Sequence, residues 1–313
     1  MPTNKPNGVS VIIPTINRAE VLIDTISDIL QQNFDDFEII VVDQSEQVNN
    51  KALQLMSEST VPHRYFKAKF KGLPQARNFG AQKASKDILL YIDDDIRCDT
   101  NLVKNHYDAH LKSGAQLIAG GITELKGDSI SKAKPGSFRK WTGTAIRNYS
   151  SKQPGWCCHA PGGNFSILKS TFQDIRGIDE ALSTGAALYE ESEFALRLKK
   201  AGFKAWFEPK AHLTHLAAPM GGCRVPNDWP KYMYGLGHNR AILVFRHLAP
   251  IYWPTSLIRS LLLGVSYSKL DKSPRPFFAT LKGLNKGRKV AKMPALNTQL
   301  EAVEISLDSL KES

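Results

Sequence analysis

The first half of the chain alternates short apolar runs with stretches of helical period. That alternation constrains the fold more than any other feature. VSVIIP (9–14), FEIIVVD (37–43), DILLYID (87–93) and AQLIAGG (115–121) are near-continuous apolar runs, with a shorter one near Tyr65. Between them, AEVLIDTISDILQQ (19–32), residues 51–57, LPQARNFGAQKAS (73–85) and residues 101–112 carry apolar side chains at helical spacing. Strands that read as continuous apolar runs are buried on both faces, and helical crossovers between them make a parallel sheet. Ligands of such sheets lie beyond the carboxyl ends of the strands. Thr15, Asp43 and Asp93–Asp95 all stand at such ends, so one crevice can collect them although they are far apart in sequence.

Three adjacent carboxylates, Asp93, Asp94 and Asp95, close the run LLYIDDD. Like charges this close repel and raise one another's pKa, so a positive partner is expected. A hard divalent cation such as Mn²⁺ or Mg²⁺ takes oxygen ligands of this kind and shares them with phosphate. The bland alternative is a solvated acidic turn before the next helix. Arg77, in GLPQARNFG, should sit on a helix opening near the same crevice, where a guanidinium can pair with phosphate. His212 and His215 flank a strand end in PKAHLTHL, and a histidine beside a metal is a plausible ligand. Glu190, Glu191 and Glu193 open a helix of about 190–201 that Gly202 ends. Acid in a first turn complements the helix dipole, yet a carboxylate there can also take a proton from a substrate hydroxyl.

Charge is unevenly spread. Of a net +11, residues 224–292 hold 13 Lys and Arg against two Asp and Glu, while residues 1–223 carry about +3 and the tail about −3. That segment should meet something anionic. Its run IYWPTSLIRSLLLGVSY (251–267) is interrupted by Pro254 and Arg259. Crossing a bilayer takes roughly 20 apolar residues, so the expectation is an amphipathic helix lying on a membrane. Trp229, Tyr232, Tyr234, Tyr252 and Trp253 suit a membrane interface at least as well as nucleic acid. The tail LNTQLEAVEISLDSL reads as a short amphipathic helix, and residues 122–158 as irregular loops covering a site. Residues 1–8 lack the pattern of a secretory leader. Cys98, Cys157, Cys158 and Cys223 fit no disulfide framework, which points to reduced cytosolic thiols.

Taken in order, VSVIIPTINR, FEIIVVDQS, GLPQARNFGAQKASKDILLYIDDD, GGNFSI, GIDEAL and YEESEFALRLKKAGFK resemble the motifs of family 2 glycosyltransferases of the GT-A fold. The resemblance covers about residues 9–216. It implies a Rossmann-like, mostly parallel sheet sandwiched by helices, followed by a basic helical extension. It further implies a catalytic domain over residues 1–222, with a nucleotide-sugar half at about 9–121 and an acceptor half at about 122–222. Residues 223–313 would then be a membrane-associating region. The implied reaction transfers a sugar from a nucleotide-diphosphate sugar with inversion at the anomeric carbon; the basic segment, for its part, suggests a glycan or lipid-linked acceptor. Pro14, Thr15, Asn17, Arg18, Asp43, Arg77, Asp93, Asp94, Gly163 and Asn164 match positions around the nucleotide-sugar. Asp95 and His215 match metal positions for Mn²⁺ or Mg²⁺, and Glu191 matches the catalytic base. Glu here replaces the more usual Asp, so Glu190 and Glu193 stay open as alternatives. No processive QxxRW pattern stands at the expected place, which favours single-sugar addition. The implied location is the cytoplasmic face of the plasma membrane, with no nucleic-acid partner. A nucleotidyltransferase is the runner-up, but PTINRAEV offers Arg18 without the glycines of a phosphate loop.

Overall fold

The computed structural model describes residues 5–125, 133–218, 225 and 227–307. In chain order the first half comprises β1 (Val9–Thr15), α1 (Ala19–Leu30), β2 (Phe37–Asp43), α2 (Asn50–Ser57), β3 (His63–Ala68), α3 (Leu73–Lys83), β4 (Ile88–Ile92), β5 (Ile96–Cys98), α4 (Leu102–Ser113) and β6 (Leu117–Glu124). There follow β7 (Ser137–Arg139), β8 (Thr144–Ile146), β9 (Gly155–Cys157), β10 (Asn164–Leu168), α5 (Lys169–Asp174), α6 (Glu190–Lys200), β11 (Ala205–His215), α7 (Trp229–His247), α8 (Trp253–Leu270), α9 (Arg275–Val290) and β12 (Ala302–Ile305).

The main sheet runs in the order β12-β3-β2-β1-β4-β10-β6-β11-β5, with β9 beside β11. β1 is parallel to β2 and β4, β2 to β3, and β6 to β11. All seven residues of β1 and all seven of β2 are buried, as strands covered on both faces should be. One helix lies so close to the sheet that it needs a glycine: a Cβ on Gly80 of α3 would fall 2.4 Å from Ile12 Cγ2. The expected α/β sandwich is present, with one interruption. GGNFSI supplies β10, which runs antiparallel between β4 and β6. The irregular stretch 122–158 contains the β7–β8 hairpin and the edge strand β9.

The tail departs from expectation. Its central residues form β12, antiparallel to β3, rather than a helix; residues 308–310 of that stretch lie outside the described residues. A short isolated helix is marginal in water, whereas the open edge of β3 offers unpaired backbone groups. Arg64 on β3 adds two hydrogen bonds to Glu304, of 2.8 and 2.7 Å. Leu300, Ala302 and Ile305 pack against the main core. The chain reaches that edge by clasping the body: Leu296 N donates to Asp179 and Thr298 N to Glu180. The expected 222/223 boundary and Cys223 fall outside the described residues; Cys98, Cys157 and Cys158 are free thiols. Among the described residues no helix is long and apolar enough to cross a membrane.

Candidate active site

Three strand ends open into one crevice. β1 ends at Thr15, β2 at Asp43, and β4 runs into Asp93. A cleft of about 530 Å³ beside them is lined by Thr15, Asn17, Arg18, Asp43, Val48 and Asn49. Asn17 adopts the left-handed region (φ 54), which asparagine tolerates better than most residues, and its N–H donates to Ser45 Oγ. Pro14 lies buried just before the β1 terminus. Asp43 is buried and held by one hydrogen bond to each oxygen: Oδ1 accepts from Ser45 N, and Oδ2 accepts from the Tyr65 hydroxyl. Asn49 N in turn donates to that hydroxyl, which locks the carboxylate against α2.

The three aspartates divide their roles. Asp94 is turned inward and accepts from Thr15 Oγ1 at 2.6 Å and from Arg18 at 2.7 Å. Burial pushes its carboxyl up to about 6, against the pull of Arg18. Asp94 was expected at the donor; its carboxylate is instead spent on bracing β1 and the Arg18 loop. Asp93 and Asp95 face His215 from the end of β11, and ligand atoms of all three lie within 4.8 Å of one another. Asp95 Oδ1 is buried, 3.2 Å from both His215 Nε2 and Arg18, yet makes no well-aligned hydrogen bond. Its other oxygen accepts from Ala218 N. Burial alone would raise Asp95; the close approach of His215, helped by Arg18 and the Ala218 N–H, outweighs it and holds the carboxyl low.

Glu124 at the end of β6 was not foreseen. The β6–β11 register sets it opposite His215, and its Oε2 lies 2.7 Å from His215 Nδ1, leaving Nε2 toward the aspartates. Asp95 and Glu124 together lift the imidazole to about 10. Such a pocket favours positive charge. Two carboxylates and an imidazole, one oxygen of them buried without a hydrogen bond, are a donor set that fits a divalent cation. A carboxylate behind a ligating histidine fixes its orientation, and losing one typically costs about 10–100-fold in metal affinity. Glu124→Gln should therefore weaken Mn²⁺ binding by roughly tenfold or more, read by isothermal titration. Unchanged affinity would make Glu124 a bystander.

Two residues expected at the donor, Arg77 and Asn164, are turned into the protein. Arg77 is buried rather than presented to the cleft; it pairs with Glu190, donates to Gly162 O at 2.7 Å and stands 3.5 Å from Asp93. It braces the Gly162–Gly163 turn. Asn164 is also fully buried, donating through Nδ2 to the carbonyls of Gly121 and Ala211 and accepting at Oδ1 from His106 Nε2. Its amide joins β10 to β6 and β11 and does not face the crevice. Gly163 approaches Asp93 so closely that a Cβ would fall 2.3 Å from Oδ2.

Geometry separates the three glutamates. Glu190 is buried against Arg77. Glu193 is bound by Arg197, Arg246 and His247, which overcome its burial and hold it down to about 2. Glu191 is half-buried beside Gly162, whose Cβ position lies 3.8 Å from its carboxyl carbon. Burial raises its pKa, opposed by its own N–H and by Arg77 and Arg147. It thus combines access to the crevice with basicity above that of an ordinary carboxylate.

Residues 10–176, more than half of the chain, match the family model "Glycosyl transferase family 2". The chain belongs to glycosyl transferase family 2. It is 28% identical over 130 residues to the poly(ribitol-phosphate) β-N-acetylglucosaminyltransferase TarP of Staphylococcus aureus, a match covering 40% of this chain and 40% of that one. It is 26% identical over 200 residues to the GalNAc(5)-diNAcBac-PP-undecaprenol β-1,3-glucosyltransferase of Campylobacter jejuni, covering 59% of this chain and 60% of that one. The matches thus span less than two thirds of these relatives. Among solved structures, the mannosyltransferase PcManGT of Pyrobaculum calidifontis, in complex with GDP-Man and Mn²⁺, superposes with a TM-score of 0.56 at 16% identity, over 90% of this chain and 88% of that one. The fold is that of a GT-A glycosyltransferase.

Proposed function

We propose that this protein is an inverting glycosyltransferase that moves one sugar from a nucleoside-diphosphate sugar to a hydroxyl of a glycan or lipid-linked acceptor. The observation that carries the reading is the pairing of Glu191, a carboxylate of raised basicity in no ion pair among the described residues, with the nearby Asp93–Asp95–His215 cluster, whose Asp93 acts on it through charge. The nucleotide occupies the cleft between Thr15, Asn17, Arg18 and Asp43. Asp93, Asp95 and His215 would hold Mn²⁺ or Mg²⁺, which when bound supplies positive charge against the diphosphate. Glu191 takes the proton of the acceptor hydroxyl as its oxygen bonds to the anomeric carbon. The bond to the diphosphate oxygen breaks on the opposite side, and the configuration inverts. The Arg18 guanidinium, already beside Asp94 and Asp95, adds fixed positive charge where the leaving group becomes more negative. The poly(ribitol-phosphate) and the undecaprenol-linked glycan in the names of its relatives support a glycan or lipid-linked acceptor.

The test is a screen of UDP-, GDP- and dTDP-sugars for release of nucleoside diphosphate in the presence of Mn²⁺ or Mg²⁺. One donor class should turn over well above the others. Turnover of none of them, with a folded protein, would refute the reading.

A further inference from the structure

Helix α8 is built inside out. Its buried residues are Ser256, Ser260 and Gly264, spaced four apart on the face that meets α9; a Cβ on Gly264 would lie 2.8 Å from Thr280 Oγ1. Three of its large apolar residues point the other way: Ile258 is 55% exposed, Leu262 62% and Val265 41%. These sit at i, i+4 and i+7, one continuous stripe. A water-facing helix normally shows the reverse arrangement. Helix α9 repeats it, burying Thr280, Gly283 and Gly287 while Phe278 is exposed. At the N-terminal end of α8, Trp141 from the β7–β8 hairpin is exposed, packs edge-on against Tyr252, and accepts a hydrogen bond at its carbonyl from Thr255.

We propose that this face docks on an anionic lipid bilayer, so that the acceptor is drawn from the membrane surface; the inference rests on the glycosyltransferase reading and names where its acceptor resides. Charge selects the occupant. Arg259, Lys269, Arg275, Lys282, Arg288 and Lys289 are exposed on the same two helices, whereas Asp271 is the sole acid between residues 229 and 292. An apolar stripe with basic neighbours and indole at one end is what the interface between headgroups and acyl chains accommodates. A second copy of the chain would bring the same cations against one another. The docked face also connects to the site. Buried Arg240 on α7 donates to Thr142 O in the hairpin and to the Tyr189 hydroxyl, one residue before Glu190.

Sedimentation with vesicles tests this directly, using phosphatidylcholine alone and mixed with phosphatidylglycerol. The intact protein should pellet with the mixed vesicles and far less with the neutral ones. Ile258→Ser with Leu262→Ser should cut that partitioning by about tenfold or more, because two exposed apolar side chains are removed without opening a cavity. Melting temperature and lipid-free release of nucleoside diphosphate should stay as in the parent. Parent protein left in the supernatant, equal binding to neutral vesicles, or a double variant that pellets unchanged would each overturn the proposal. So would a parent dimer that the double substitution converts to monomer. Loss of nucleotide release in the parent, with vesicle binding intact, would refute the glycosyltransferase reading and leave the docking face standing.

Discussion

Glu191→Gln is expected to retain donor binding and lose about 10²- to 10⁴-fold in turnover, the usual contribution of a general base. That loss corresponds to roughly 2.7–5.5 kcal/mol of barrier at 1.36 kcal/mol per decade. The amide keeps the size of the side chain and cannot accept a proton. The pH profile gives a second readout. Only the ionised carboxylate acts as base, and burial raises its pKa above the ordinary 4.5. Turnover should therefore be full above that raised value and fall as pH drops through it, and the variant should lack this limb. Glu190→Gln serves as contrast. It loosens the buried pair with Arg77 and so should lower thermal stability along with activity. A Glu191→Gln protein with parental turnover would remove the residue from the mechanism.

Asp95→Ala is expected to weaken Mn²⁺ binding by roughly a hundredfold or more, since losing a ligand should exceed the 10–100-fold typical of a supporting residue. Affinity for the donor in the presence of Mn²⁺ should fall with it, because the cation and the diphosphate share the site. Isothermal titration with Mn²⁺, then with the donor, checks both. The substitution also leaves Ala218 N without its acceptor, which costs about 1–3 kcal/mol of stability. A thermal melt separates that effect from binding. Unchanged Mn²⁺ affinity would exclude the Asp93–Asp95–His215 cluster as the cation site.

The meeting of the three strand ends was readable because two local rules sufficed. An apolar run marks a buried strand, and ligands collect where parallel strands end, so Thr15, Asp43 and Asp93 could be placed together before any coordinates. What those rules do not encode is which way a side chain turns. Asp94, Arg77 and Asn164 carry suitable chemistry in suitable motifs, yet each is consumed inside the protein by Arg18, Glu190 or a backbone carbonyl. Glu124 went unnoticed for the converse reason. Like Asp43 it is an acid closing an apolar strand, but the expected strand stopped at Gly121, and its partner lies 91 residues away. The tail was misread because four residues, Ala302–Ile305, carry too little pattern to outweigh an available sheet edge.

By itself, then, the order of residues determined the layered α/β architecture, the family, the excess of cations near the carboxyl terminus, and which carboxylates could meet. Periodicity and strand ends are local properties, and they survive without knowledge of neighbours. Only the tertiary structure engaged Glu190 and Glu193 with arginines, oriented His215 through Glu124, and revealed that α8 buries Ser256 and Ser260 while exposing Ile258 and Leu262. Those outcomes depend on which distant cation, carboxylate or helix occupies the adjoining space, and contacts between residues far apart in the chain are made by packing alone.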